Sequence, residues 1–140
     1  MKLSISKGQI VVLLGWLFLT SSACKKDKAD DAIPCVGGTG GSTTLLVDLK
    51  HHSLQIPSDS VYPDTVWLKY DAVNAGSGYD ERKIGNPGDT TITFSNLKCG
   101  NYYLIASGYD RSIGFVIHGG LGITIAENED TVAYTVAVVE

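Results

Sequence analysis

From Thr43 to the last residue, apolar side chains recur at every second position, and no stretch repeats them at helical spacing over three turns. Leu45, Val47 and Leu49 alternate with Leu46, Asp48 and Lys50. Val66, Leu68, Tyr70 and Ala72 alternate with Trp67, Lys69 and Asp71, and Ile92 and Phe94 with Thr91, Thr93 and Ser95. Tyr102, Leu104 and Ala106 oppose Tyr103, Ile105 and Ser107. Phe115 and Ile117 run into a Gly119-Gly120 break, after which Leu121, Ile123 and Ile125 resume; Val132, Tyr134, Val136 and Val138 close the chain. A strand sends successive side chains to opposite faces, so this pattern buries one face of a sheet against another layer. Turn residues separate the runs at Pro57-Ser58-Asp59, Asn86-Pro87-Gly88-Asp89, Cys99-Gly100-Asn101 and Glu127-Asn128-Glu129-Asp130. Six or seven short strands at this spacing predict an all-β chain folded as an antiparallel β-sandwich.

The first residues follow a different rule. Lys2 and Lys7 precede an apolar run from Ile10 to Leu19, broken only by Gly15. As a helix that run spans about 15 Å, half the hydrocarbon core of a bilayer, which fits a removable signal better than a membrane span. Ser21-Ser22-Ala23-Cys24 then reads as a cleavage site with a cysteine directly after it. The whole resembles the signal of a bacterial lipoprotein, which implies that Cys24 carries a diacylglycerol and becomes the mature N-terminus. The alternative is ordinary secretion with a free Cys24 thiol. The following charged run, Lys25-Lys26-Asp27-Lys28-Ala29-Asp30-Asp31, resembles the tethers of surface-exported lipoproteins of the Bacteroidetes. That resemblance implies the cell envelope, with the chain held by lipid to the outer membrane on its periplasmic or its outer side. Pro34 and the Gly37-Gly38-Thr39-Gly40-Gly41-Ser42 run have the composition of a flexible coil. The expected organisation is a signal peptide over 1–23, a charged and glycine-rich tether over 24–43, and a sandwich domain over 44–140.

Removing residues 1–23 takes away two lysines and no acid, leaving nine basic against 15 acidic residues. This mildly acidic balance argues against nucleic acid and against a polybasic membrane patch, so the expected membrane contact is the lipid alone. With Cys24 lipidated, Cys35 and Cys99 remain as an even pair and a disulfide candidate, the alternative being two free thiols. The bridge would close a loop of about 63 residues, worth about 3–4 kcal/mol through the unfolded state.

Phe94, Leu97, Gly100, Tyr102, Leu104 and Ala106 form the pattern F-x-x-L-x-x-G-x-Y-x-L-x-A. This resembles the strand–turn–strand signature of prealbumin-like, carboxypeptidase-regulatory-like β-sandwich domains, and His51-His52-Ser53-Leu54-Gln55-Ile56-Pro57 resembles their first hairpin. The resemblance implies that Leu97 caps the core, Gly100 takes a positive φ and Tyr102 returns into the sandwich. It implies little about activity, since such domains are usually non-catalytic modules. The transthyretin-related hydrolases of the same fold end in Tyr-Arg-Gly-Ser, and here the last residues are Val138-Val139-Glu140. Their activity is therefore not carried over.

Few polar residues suggest chemistry. His51 and His52 are adjacent, so in a strand they face opposite ways and cannot share a metal without a bend; His118 adds at most one further ligand. Asp59, Asp64, Asp71, Asp80, Asp89 and Asp110 fall in or near turns without calcium-loop spacing, and no serine sits in G-x-S-x-G. No catalytic residue, metal site or cofactor is expected, and the chain does not read as an enzyme. The binding candidates are Trp67, Tyr79, Tyr103 and Tyr109, which fall on the less apolar phase or in loops. The competing reading is that they fill the second face of a sheet. Ala75 to Gly88 reads as a long polar loop. The expected function is a non-catalytic, membrane-anchored module that binds a protein partner or supports an envelope complex. The alternative is a small carbohydrate-binding lipoprotein of a glycan-uptake system.

Overall fold

The computed structural model describes residues 35–140, and the expected signal peptide, Cys24 and the charged run lie outside the described residues. The described chain is all-β, with eight strands: β1 (Thr39–His51), β2 (Leu54–Gln55), β3 (Thr65–Tyr70), β4 (Glu81–Ile84), β5 (Thr91–Leu97), β6 (Gly100–Asp110), β7 (Phe115–Ile125) and β8 (Thr131–Ala137). They form two four-stranded sheets. In the first, β1 lies between β5, antiparallel, and β8, parallel, while β2 pairs with the end of β1 as a hairpin. The second has the order β4-β3-β6-β7 and is antiparallel throughout.

The alternating rows meet in one core. Leu45, Val47, Leu49, Ile92, Phe94 and Val136 of the first sheet face Val66, Leu68, Tyr102, Leu104, Ala106, Ile117, Ile123 and Ile125 of the second, all buried. This is the β-sandwich that the period-two pattern predicts, and burying two such rows is its main stabilisation. Phe94, Leu97, Tyr102, Leu104 and Ala106 of the strand–turn–strand motif are all fully buried, and Gly100 has φ +138°. At one edge the layers are stitched together, with His118 and Val139 exchanging backbone hydrogen bonds of 2.9 and 2.8 Å.

Four details differ from the sequence reading. The glycine-rich segment before residue 44 is built into the sandwich rather than being a tether. The Cys35–Cys99 disulfide is formed, Lys98 N–H donates to Gly38 O at 2.9 Å, and Thr39 opens β1. The glycines there serve close approach instead of flexibility: a Cβ on Gly41 would lie 2.0 Å from Leu97 O, and one on Gly100 2.2 Å from Gly37 N. Second, the Gly119-Gly120 pair does not break β7, which is continuous; it makes room for the Ala137 carbonyl on one side and the Tyr103 ring on the other. Third, β4 occupies part of the expected 75–88 loop, and Arg82 is in that strand. Its Glu-Arg-Lys-Ile sequence shows no alternation because Arg82, Lys83 and Ile84 are all exposed at a sheet edge. Fourth, the pairing of the first and last strands is parallel, a register that alternation within either strand leaves open.

Candidate functional site at one pole of the sandwich

β1 and β6 both end at the pole opposite Cys99, and each carries its inward row one step past the apolar core. In β1 the row Leu45, Val47, Leu49 continues to His51; in β6 the row Tyr102, Leu104, Ala106, Gly108 continues to Asp110. His51 is 2% exposed, and its Nδ1 lies 2.7 Å from Asp110 Oδ2. An ionised carboxylate only accepts, so Nδ1 carries the proton. Asp110 is fixed from its other oxygen by the Ser112 hydroxyl at 2.6 Å and the Ser112 N–H at 2.7 Å. Those bonds, with the His51 contact, pull its carboxyl down to about 2. The Asp110 hydrogen bond raises the His51 pKa, against the opposing effect of burial, and Glu140 adds to the rise. His51 Nε2 faces Glu140 Oε2 at 3.0 Å.

The β1–β2 turn supplies the bend that adjacent histidines need. His52 and Ser53 take φ of +45° and +69°, a left-handed pair that closes the two-residue hairpin. The His52 ring thereby folds back and stacks on His51, with centroids 4.0 Å apart and planes at 25°. One ligand-capable atom from each of His51, His52 and Glu140 lies within 4.8 Å of the others. His118 does not join this group. Cys35, Cys99 and Glu127 form a second cluster at the far pole, but the two sulfurs are bonded to each other and offer no thiolate.

Beside the histidines, the 58–64 loop packs against the β6–β7 hairpin. Asp59 Oδ1 accepts from the N–H groups of Val61 at 2.7 Å and Tyr62 at 3.2 Å, and its Oδ2 takes Arg111 Nε at 2.6 Å. These bonds, the Val61 N–H first, lower its pKa. The Ser58 hydroxyl accepts the Asp64 N–H at 3.0 Å and donates to Gly85 O at 3.2 Å. Asp64 itself is 3% exposed, with its carboxyl against the backbone of Gly108 and no partner for Oδ1. Burial first, and the Asp59 carboxylate second, push it up to about 7.

An apolar patch crowns this pole. Tyr62 stacks on Tyr109 with centroids 4.9 Å apart, and Tyr109 pairs across the sheet with Val116. A shallow groove of about 390 Å³ runs between Asp59, Val61, Tyr62, Tyr109 and Arg111. Val61 is 72% and Tyr62 51% exposed. Phe115, on the other face of β7 from Val116, continues the inward row of Ile117 beyond the end of the core, which leaves it 63% exposed.

The four aromatic candidates therefore divide. Tyr109 belongs to the pole. Trp67 and Tyr103 share the outer face of the second sheet, on neighbouring strands, and both are half-buried. Tyr103 lies across Gly120, and the β3–β4 loop comes down over Gly122, where the Val73 carbonyl would touch an added Cβ. Tyr79, exposed on that loop, stands over Trp67 at 6.2 Å with planes tilted by 56°. His51 and Asp110 were weighed in the sequence and set aside, and Tyr62, Phe115 and Glu140 were not singled out. A polar residue on an inward phase, as at His51 and Asp110, was the available signal.

No family model matches the chain, and no curated protein matches it. Among solved structures it is similar to the major pilin subunit of Bacillus cereus, at 14% identity and a TM-score of 0.47. The likeness covers 71% of this chain but 30% of the pilin, so the chain spans under a third of that protein, and the match carries no argument about function.

Proposed function

We propose that the chain is a lipid-anchored, non-catalytic sandwich module that binds a protein partner through the Val61–Tyr62–Tyr109 surface at this pole. The observation that carries this reading is the exposed apolar patch at the end of β6 opposite Cys99. Patches of this kind, rimmed by an ion pair such as Arg111–Asp59, mark protein contacts in soluble domains. The disulfide fastens residue 35, and hence the side from which the tether arrives, to the other pole. The patch thus lies at the end of the sandwich opposite Cys35. The prealbumin-like assignment rests on the motif residues, whose burial and turn geometry agree with that family's signature. Lipid on Cys24, and with it an outer-membrane address, rests on the sequence signal.

A sugar-binding surface at Trp67 and Tyr79 is the second reading. It calls for rings that lie side by side as a platform, and a tilt of 56° over a half-buried indole favours it less.

Photo-crosslinking in intact cells tests the proposal. A crosslinking residue at Val61 or Tyr62 is expected to give one discrete protein adduct that the same residue at Glu127, on the opposite pole, does not. Equal adducts from all three positions, or none from the pole, overturn it. Labelling with a palmitate analogue, lost in Cys24→Ser, tests the anchor separately, and a glycan array tests the alternative.

A further inference from the structure

We propose that His51, His52 and Glu140 form a binding site for a divalent transition-metal ion, with zinc the best fit. This site is independent of the partner reading above. Two histidine nitrogens and a carboxylate oxygen are a common zinc donor set, and three protein ligands leave a fourth position for water. The donors are already gathered, with His51 Nε2 and Glu140 Oε2 3.0 Å apart. Around a tetrahedral zinc, ligand atoms sit about 3.3 Å from one another, given bonds of about 2.0–2.1 Å. That pair needs only to open slightly. His52 has to tilt inward, and as an exposed side chain stacked at 4.0 Å on His51 it is free to do so.

The stronger argument lies behind the ligands. Metal-bound histidines almost always donate their other ring N–H to a carboxylate or carbonyl, which fixes the tautomer and aims the lone pair. His51 does this here: Nδ1 is committed to Asp110 at 2.7 Å, and Asp110 is held by two bonds from Ser112. The buried imidazole is thus locked with Nε2 directed at the Glu140 carboxylate. With the Nδ1 proton spent on Asp110, that pair of facing acceptors requires a cation between them, either a second proton or a metal ion. The left-handed turn at His52 and Ser53 is the other telling detail. His52 takes this region more readily than most side chains, but Ser53 does not, so the hairpin accepts backbone strain at Ser53 and brings a second imidazole beside the first.

The test is zinc titration by calorimetry at neutral pH, on the full chain carrying Cys24→Ser so that no free thiol competes. The wild-type pole is expected to take one equivalent, with the ¹⁵N resonance of His51 Nε2 shifting on addition. His52→Asn tolerates the left-handed turn, and Glu140→Gln is exposed and conservative, so both variants keep the fold. Each should weaken binding at least tenfold, and Asp110→Asn by about 10- to 100-fold, as expected for loss of an orienting carboxylate. His118→Asn should bind as the parent does. No saturable uptake would show that a proton alone fills the gap and would overturn the site. Uptake weakened in only one of the His52 and Glu140 variants, or in neither, overturns the three-ligand set.

Discussion

Replacing Asp64 by asparagine should stabilise the domain at pH 8 relative to pH 4, and the size of that change follows from the carboxyl's surroundings. Asp64 is 3% exposed, leaves Oδ1 unpaired, and lies near enough to Asp59 to feel its charge. Its pKa stands at about 7 in the folded chain against an ordinary 3.8. The folded state therefore holds the proton more tightly than the unfolded chain does. Stability is full below the unfolded value, falls as pH rises between about 4 and about 7, and is level above that. At about 1.4 kcal/mol per pH unit the whole gap amounts to about 4 kcal/mol. Water reaching the carboxylate screens it, so about 2 kcal/mol is a realistic lower figure. Asparagine keeps the shape and carries no charge at any pH. Its buried amide adds a cost of about 1–3 kcal/mol, but that cost is the same at every pH. The informative quantity is thus the change in ΔΔG between pH 4 and pH 8, from which the amide cost and the shared titration of His51 both cancel. Urea unfolding of the two proteins at several pH values measures it. The variant should gain about 2–4 kcal/mol on the wild type across the window. A difference that stays constant with pH would show that Asp64 is ionised in the fold throughout, and would refute the burial argument.

Two further perturbations probe the other pole. Cys99→Ser opens the Cys35–Cys99 bridge, which spans a sequence separation of 64, and should lower stability by about 4 kcal/mol; reducing agent should produce the same fall in the wild type and none in the variant. Tyr102→Phe removes a hydroxyl that accepts the Gly38 N–H at 2.9 Å and donates to Lys98 O at 2.7 Å, at a cost of about 1–3 kcal/mol. Hydrogen exchange should locate that loss at Gly38 and Lys98 while the amides of β3 and β7 keep their protection.

The core was legible because every strand that buries one face writes that fact into its own sequence. Leu45 to Leu49 and Tyr102 to Ala106 needed no partner to be read. What escaped was information held between segments. His51 and Asp110 are 59 residues apart, and His51 and Glu140 are 89 apart, so no local pattern announces their meeting. The parallel pairing of β1 with β8 is non-local in the same way. The glycine-rich stretch misled for a different reason. Composition alone equates glycine with freedom, whereas Gly37, Gly41 and Gly100 are there because two backbones approach closer than any Cβ allows. The adjacent histidines were set aside on strand geometry, and the left-handed turn at His52 removed that objection.

The disulfide also determines how the domain would carry tension. Cys35 is joined directly to Cys99, and β6 starts at the next residue, Gly100. A pull on residue 35 from its N-terminal side therefore bypasses β1 to β5, whose residues sit inside the closed loop and cannot be drawn out. About 63 residues, or about 220 Å of extended chain, are removed from the mechanical path. The load instead enters the central strand β6 and runs about 36 Å along it to the β6–β7 hairpin, next to Tyr109. Cys35, the disulfide and β6 thus form one short path from residue 35 to the β6–β7 hairpin, and reduction of a single S–S bond would put the intervening residues back into it.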